Sequence, residues 1–102
     1  MIKKLIEKEL ESANKKFPLF ASWHEAYAVI KEEVEEAQEE VAVMAELDTE
    51  EFWSCIRSKD ATDTDRTNSL SRIRLQAVRG IEELVQVAAM CDKTLQSLRK
   101  EF

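Results

Sequence analysis

Across 102 residues this chain has a single glycine, Gly80, and a single proline, Pro18. Tight turns and hairpins depend on those two residue types. A chain almost free of them has few places to reverse, and so folds into a small number of long elements. Glu, Lys, Leu, Ala, Gln and Arg dominate in their stead, and these are the residues that lose least on entering a helix. The expected class is all-α: a helical bundle of two long antiparallel helices plus shorter helices. The length suits one domain over residues 1–102 with a single core.

Apolar spacing divides the chain. Ile2, Leu5, Ile6, Leu10 and Ala13 recur at helical intervals, and the first helix stops before "KKFPLF", where Pro18 turns Phe17 away from helical geometry. Ser22 and Glu25 have the spacing of a capping box. They precede the stripe Trp23, Ala26, Tyr27, Ile30, Val34, Ala37, Val41 and Met44, which predicts a second helix from Trp23 to about Leu47. Asp48 and Glu51 repeat the capping spacing ahead of Phe52, Trp53 and Ile56, so a short third helix ending near Ser58 is expected. Its two large aromatics would close one end of the core. Residues 58–68, "SKDATDTDRTN", carry no apolar period and read as a loop. From Ser69 to Leu98 a last long helix is marked by Leu70, Ile73, Ala77, Val78, Ile81, Leu84, Val85, Ala88, Cys91, Leu95 and Leu98. Gly80 interrupts it, which points to a close approach by another helix.

Charge narrows the function. Twenty-one acidic residues against fifteen basic ones give a net charge of −6. The cationic surface on which phosphate-backbone affinity rests is missing, so a nucleic-acid polymer is not an expected partner. No apolar run of membrane-spanning length occurs, and "MIKKLIEKEL" alternates charge with Ile and Leu where a secretory leader would be apolar. The expectation is a soluble cytoplasmic protein with no membrane partner. Cys55 and Cys91 have neither a paired-cysteine nor a zinc-ligand spacing and are read as reduced thiols.

The acid is concentrated in "EEVEEAQEEV", Glu32 to Val41, six glutamates in ten residues. Like charges at i,i+4 cost a helix roughly 0.2–0.5 kcal/mol per pair, a cost that packing or a bound cation must offset. On a helical projection the apolar stripe is centred on Ile30, Val34 and Ala37. Glu33, Glu36 and Glu40 lie together on one flank, while Glu32, Glu35 and Glu39 point elsewhere. Carboxylates at i and i+3, as in Glu33 and Glu36, can share a hard divalent ion such as Mg²⁺. On the last helix Glu83 and Gln86 repeat that spacing, and Arg79, Glu82 and Lys93 fall on the same broad side. The surrounding "LVQVAAMC", Leu84 to Cys91, is apolar all round except for Gln86. It should be enclosed by protein or by a second subunit.

"FASWHEAYAVIKEEVEEAQEEV" followed by "EELVQVAAM" resembles the MazG-like members of the all-α nucleoside triphosphate pyrophosphatase superfamily, which include forms from bacteria and their phages. That family's signature is EExxE on one helix and ExxD on a later one. Glu32, Glu33 and Glu36 match the first motif and Glu83 opens the second, while Gln86 stands where the family has a ligand aspartate. The interval between the motifs is longer than usual, with residues 48–68 inserted. The resemblance covers roughly residues 17–98. It implies a helical homodimer or homotetramer that uses Mg²⁺ to cleave a nucleoside triphosphate to monophosphate and pyrophosphate. Glu33, Glu36 and Glu83 would be metal ligands, with Gln86 at the fourth position and Glu32 or Glu40 as outer partner or base. Lys93 or Arg79 would steady phosphate oxygens.

Two other readings fit the same residues. One is a relative that has lost turnover through Gln86, whose amide binds Mg²⁺ more weakly than a carboxylate, and that survives as a nucleotide- or protein-binding oligomer. The other is a plain helical interaction module whose glutamates form a solvated face. His24, in the first turn of the second helix, reads as a surface or packing residue. Trp23, Tyr27, Phe52 and Trp53 read as core before they read as a base-stacking platform.

Overall fold

The computed structural model describes residues 1–100. Its elements are α1 (Ile2–Lys16), α2 (Trp23–Val43), a π-helical turn (Met44–Asp48), α3 (Thr49–Arg57) and α4 (Asp63–Lys100). No strand occurs among the described residues, so the all-α class holds. No helix of the described chain is long and apolar enough to cross a membrane.

Two boundaries differ from the sequence expectation. Asp48 does not begin a separate helix: its backbone is helical and its side chain makes no capping bond. The helix instead runs through a π turn into α3, and the Thr49 hydroxyl donates to the Ala45 carbonyl at 2.6 Å. A capping spacing permits a start but does not force one where preceding residues already supply the carbonyls. The converse happens at residues 63–68, read above as loop. Thr62 Oγ1 accepts from the Asp65 amide at 3.1 Å, and Asp65 Oδ2 accepts from the Thr62 amide at 2.9 Å, a reciprocal capping box that opens α4 six residues before its apolar period begins. Arg66 then ties this first turn to α3, donating to the Cys55 and Ser58 carbonyls and pairing with Asp63.

The chain divides into two compact units, Met1–Glu36 with Glu82–Phe102, and Ala37–Ile81. In the first, Phe20, Ala26, Ala89 and Met90 form the buried centre, with Ile6, Leu10, Ala13, Val29 and Ile30 packed against it. The ends of α1 and α2 are set as the sequence indicated. Phe17 is extended before Pro18, and Ser22 Oγ accepts from the Glu25 amide at 3.1 Å. The connecting residues are fastened to α4: the Phe20 amide donates to Ser97 Oγ at 2.8 Å, and that hydroxyl donates to the Lys93 carbonyl at 2.8 Å. Trp23 and Tyr27, expected in the core, are 58% and 65% exposed. Within one chain the segment 84–91 is likewise only partly enclosed, burying Ala89 and Met90 while Leu84 and Cys91 stay exposed.

The second unit is a helical hairpin. Gln76 donates to the Glu40 carbonyl at 3.2 Å and to its carboxylate at 2.6 Å, and Arg72 pairs with Glu51. As residue numbers rise on one arm they fall on the other, so the arms run antiparallel. Trp53 is exposed and does not close a core end. Gly80 has the room to be something larger: a Cβ there would meet only Val41 Cγ2 at 3.9 Å, ordinary contact, and its φ is not positive. Close helix approach therefore does not account for the glycine. Gly80→Ala should stabilise the protein by about 0.5–1 kcal/mol through helix propensity, read as a higher urea midpoint.

Candidate metal centre

Glu33 and Glu36 project from successive turns of α2, and Glu83 from α4. One carboxylate oxygen from each lies within 4.8 Å of the other two. All three side chains belong to the first unit and are half-buried. Their placement agrees with the helical projection, which sets them on the flank of the apolar stripe. Val34, one of the three residues on which the stripe is centred, is exposed, whereas Glu33 and Glu36 on the flank are half-buried. Of the three residues at the stripe's centre, Ala37 is buried and Ile30 packs against the core, and with Ala26 and Val29 they set the buried direction.

The arrangement is electrostatically tense. At about 5 Å and an effective dielectric near 20, two carboxylates repel by at most roughly 3 kcal/mol. Glu33 relieves this by holding its proton: its pKa is raised to about 7, first by burial and then by the charges of Glu36, Glu83, Glu32 and Glu9. Its Oε2 is buried and has no hydrogen-bond partner. An orphaned buried oxygen beside two further carboxylates fits a hard divalent cation, since all three donors are oxygens of the kind Mg²⁺ and Mn²⁺ take.

Beside Glu33 opens a cavity of about 460 Å³ whose walls include Glu32, Gln86, Lys93, Phe17, Phe20 and Met90. Lys93 is 2% exposed. Its ammonium lies 5.0 Å from the centre of the Phe20 ring and donates to the Phe17 carbonyl at 3.5 Å. Burial lowers its pKa, opposed by the charge of Glu25. No carboxylate pairs with it within 4 Å among the described residues. The cavity therefore combines aromatic walls, a buried cation and an exposed glutamate, Glu32, beside an oxygen-donor cluster. Phosphorylated small molecules carrying a flat apolar group match that combination.

The sequence candidates divide accordingly. Glu33, Glu36 and Glu83 come together, and Glu32, Gln86 and Lys93 line the adjoining cavity. Glu40 and Arg79 belong to the second unit, where both are engaged by Gln76: its amide nitrogen bonds Glu40, and its amide oxygen accepts from Arg79 at 3.3 Å. Three contributors were not read from sequence. Glu9 of α1 borders the cavity and adds to the field on Glu33, Glu25 faces Lys93, and Phe20 supplies the ring beneath the ammonium. Glu9 sits beside Leu10 on the inward side of α1, a position from which its side chain was legible; Phe20 follows a proline in a non-helical stretch where periodicity gives no direction.

Comparison with protein-family models, curated proteins and solved structures finds no match for this chain. The weight therefore rests on the residues and their geometry.

Glu33 makes the site pH-dependent. A raised folded pKa means that the group's favourable contribution is complete below about 4.5 and is lost as pH rises through about 7. After discounting for solvent screening, the swing is on the order of 1–2 kcal/mol. In chelator, wild-type minus Glu33→Gln stability should fall between pH 5 and 8. Adding Mg²⁺ at pH 8 should restore wild type and stabilise the variant less, since two carboxylates of the three remain. Equal pH profiles for the two proteins would remove Glu33 from this role.

Proposed function

We propose that this protein is a Mg²⁺-dependent nucleoside triphosphate pyrophosphohydrolase of the MazG-like kind, converting a ribo- or deoxyribonucleoside triphosphate and water to the monophosphate and pyrophosphate in the cytoplasm. The observation that carries the reading is the convergence of Glu33, Glu36 and Glu83 within 4.8 Å beside a cavity holding Lys93. Bound between those carboxylates, a divalent ion would neutralise triphosphate charge, polarise phosphorus and acidify water. The chain's own groups do the rest. Glu36 and Glu83, together with Glu33 once it gives up its proton, supply the carboxylate oxygens that recruit the ion. Lys93 meets phosphate oxygens from the cavity wall, its desolvated ammonium strengthening the interaction. Glu32, exposed and lining the same cavity, accepts the proton of the attacking water. Glu40 is not used so, because its carboxylate is occupied by the Gln76 amide. Phe17 and Phe20 provide an apolar wall for a ring. A homodimer or homotetramer belongs to the same reading, supported by the apolar side chains that one chain leaves exposed.

Gln86 favours a second reading. It lines the cavity with an amide where the family pattern has a carboxylate, which would leave a nucleotide-binding oligomer without turnover. One experiment separates the two: pyrophosphate release from a panel of nucleoside triphosphates with and without Mg²⁺, alongside calorimetric titration of the same nucleotides. Metal-dependent release supports the enzyme. Binding without release supports the second reading, and neither binding nor release removes both.

A further inference from the structure

Every lysine among the described residues is exposed except Lys93. A buried ammonium is costly unless a counter-charge pairs with it, and Lys93 has no carboxylate within 4 Å among the described residues. What holds its nitrogen is the Phe20 ring at 5.0 Å and a long hydrogen bond of 3.5 Å to the Phe17 carbonyl. Burial disfavours the charged form, and the charge of Glu25 opposes this. An ammonium so placed yields its proton more readily than a solvated one, and the amine left behind is a nucleophile.

The amine is buried but not sealed in. It lines the cavity of about 460 Å³, so a small molecule reaches it, and Phe17, Phe20, Val29 and Met90 make that part of the wall apolar. Glu25 lines the same cavity, which puts a proton acceptor beside the amine. Nucleophile, neighbouring base and a water-poor pocket are together what lysine needs to attack a carbonyl. We infer that Lys93 is a covalent binding site for aldehydes, held as an imine, and that the preferred aldehyde carries a flat ring and an anionic group. The ring lies against the aromatic wall, and the anionic group meets Lys16, which lines the cavity and directly precedes Phe17.

The reaction balances with these groups alone. Glu25 takes one proton from the ammonium, and the freed nitrogen pair attacks the carbonyl carbon while the C=O π pair moves to oxygen. That oxygen takes a second proton from nitrogen. Glu25 then returns its proton to the new hydroxyl, water leaves, and the remaining nitrogen pair closes the C=N bond. The imine keeps one proton and the positive charge, so the cation over Phe20 is preserved. No oxidant, reductant or metal enters, and Glu33, Glu36 and Glu83 take no part. The inference therefore goes beyond the proposed hydrolysis and does not depend on it.

Pyridoxal 5′-phosphate, a flat aldehyde bearing a phosphate, is the probe. It is mixed with the full chain in chelator, and borohydride then reduces any C=N to a stable secondary amine. Peptide mass mapping should place the label on Lys93 before any exposed lysine such as Lys31 or Lys59, and Lys93→Arg should lose it. Glu25→Gln, at an exposed position, should keep the helical circular dichroism and slow labelling of Lys93 by on the order of 10²-fold, the scale of general acid–base assistance. Pyridoxal without its phosphate should label Lys93 more slowly. Label spread over the exposed lysines with Lys93 spared, or equal rates for wild type and Glu25→Gln, would each overturn the inference. Because every arm reads label and none reads turnover, its failure is distinct from failure of the hydrolase reading.

Discussion

Replacing Glu36 with alanine should lower Mg²⁺-dependent pyrophosphate release by on the order of 10²–10³-fold, the scale on which removal of a charged group aimed at the reacting centre is felt. The loss should appear mainly as weaker affinity for metal and hence a higher Mg²⁺ requirement: raising Mg²⁺ recovers part of the rate if Glu33 and Glu83 still hold the ion. Stability should not fall with it. Glu36 is one of three carboxylates crowded within 4.8 Å, so deleting it relieves repulsion, and the thermal midpoint in chelator should hold or rise. That pairing of lost activity with retained stability distinguishes a functional cluster from a structural one. It also separates the enzyme from a plain interaction module, for which Glu36→Ala changes stability and nothing else. A variant that releases pyrophosphate at the wild-type rate would count decisively against the proposed site.

Phe20→Ala should cost about 3–5 kcal/mol of folding stability, the range for deleting a buried aromatic ring. Phe20 is 4% exposed, it joins Ala26, Ala89 and Met90 at the centre of the first unit, and its amide is bonded to Ser97. With marginal stabilities near 5–15 kcal/mol, that removes a large share of the whole. For a chain of this size a midpoint lowered by roughly 10–25 °C is expected. Phe20→Leu should retain most of the stability but not the ring under Lys93. Nucleotide binding in that variant should weaken more than its stability does. Trp23→Ala, by contrast, truncates an exposed side chain and should leave the monomer's stability within about 1 kcal/mol of wild type.

Much of the fold was legible because near-absence of glycine and proline leaves helices as the default, and because apolar periodicity located both long ones. The direction in which a helix faces was harder. On α2 the apolar residues span more than one face: Ala26, Val29 and Ala37 point to the core, while Trp23, Tyr27 and Val34 do not. A projection that weights large side chains therefore draws Val34 into the stripe with Ile30 and Ala37, while its flank still carries Glu33 and Glu36. Local capping patterns misled in both senses. Asp48 has the spacing without the break, and Thr62 makes the real box inside a run of Asp and Thr with no apolar beat. The carboxylate site was recoverable because i,i+3 spacing survives any rotation of the helix. Lys93 was picked out from its helix side, but nothing local to "MCDKTL" shows that Phe17 and Phe20, more than seventy residues earlier, would bury it.

The reciprocal bond between Thr62 and Asp65 also has a meaning in time. It closes a connection of five residues, 58–62, and the hairpin it joins, Ala37–Ile81, is one unbroken stretch of chain. Its partners sit close in sequence: Arg66 with Cys55, Arg72 with Glu51, Gln76 with Glu40. The first unit is assembled from the two ends, where Phe20 meets Ser97 and Asn14 meets Gln96 across 77 and 82 residues. Loop-closure entropy favours contacts of short separation, so the hairpin should form early and shorten the path between the ends. Glu33 and Glu36 then meet Glu83 only when the slower joining of the termini is done. Under the proposed metal role, an ion shared by all three carboxylates would bind finished molecules more tightly than partly folded ones, and its capture would mark completion of folding.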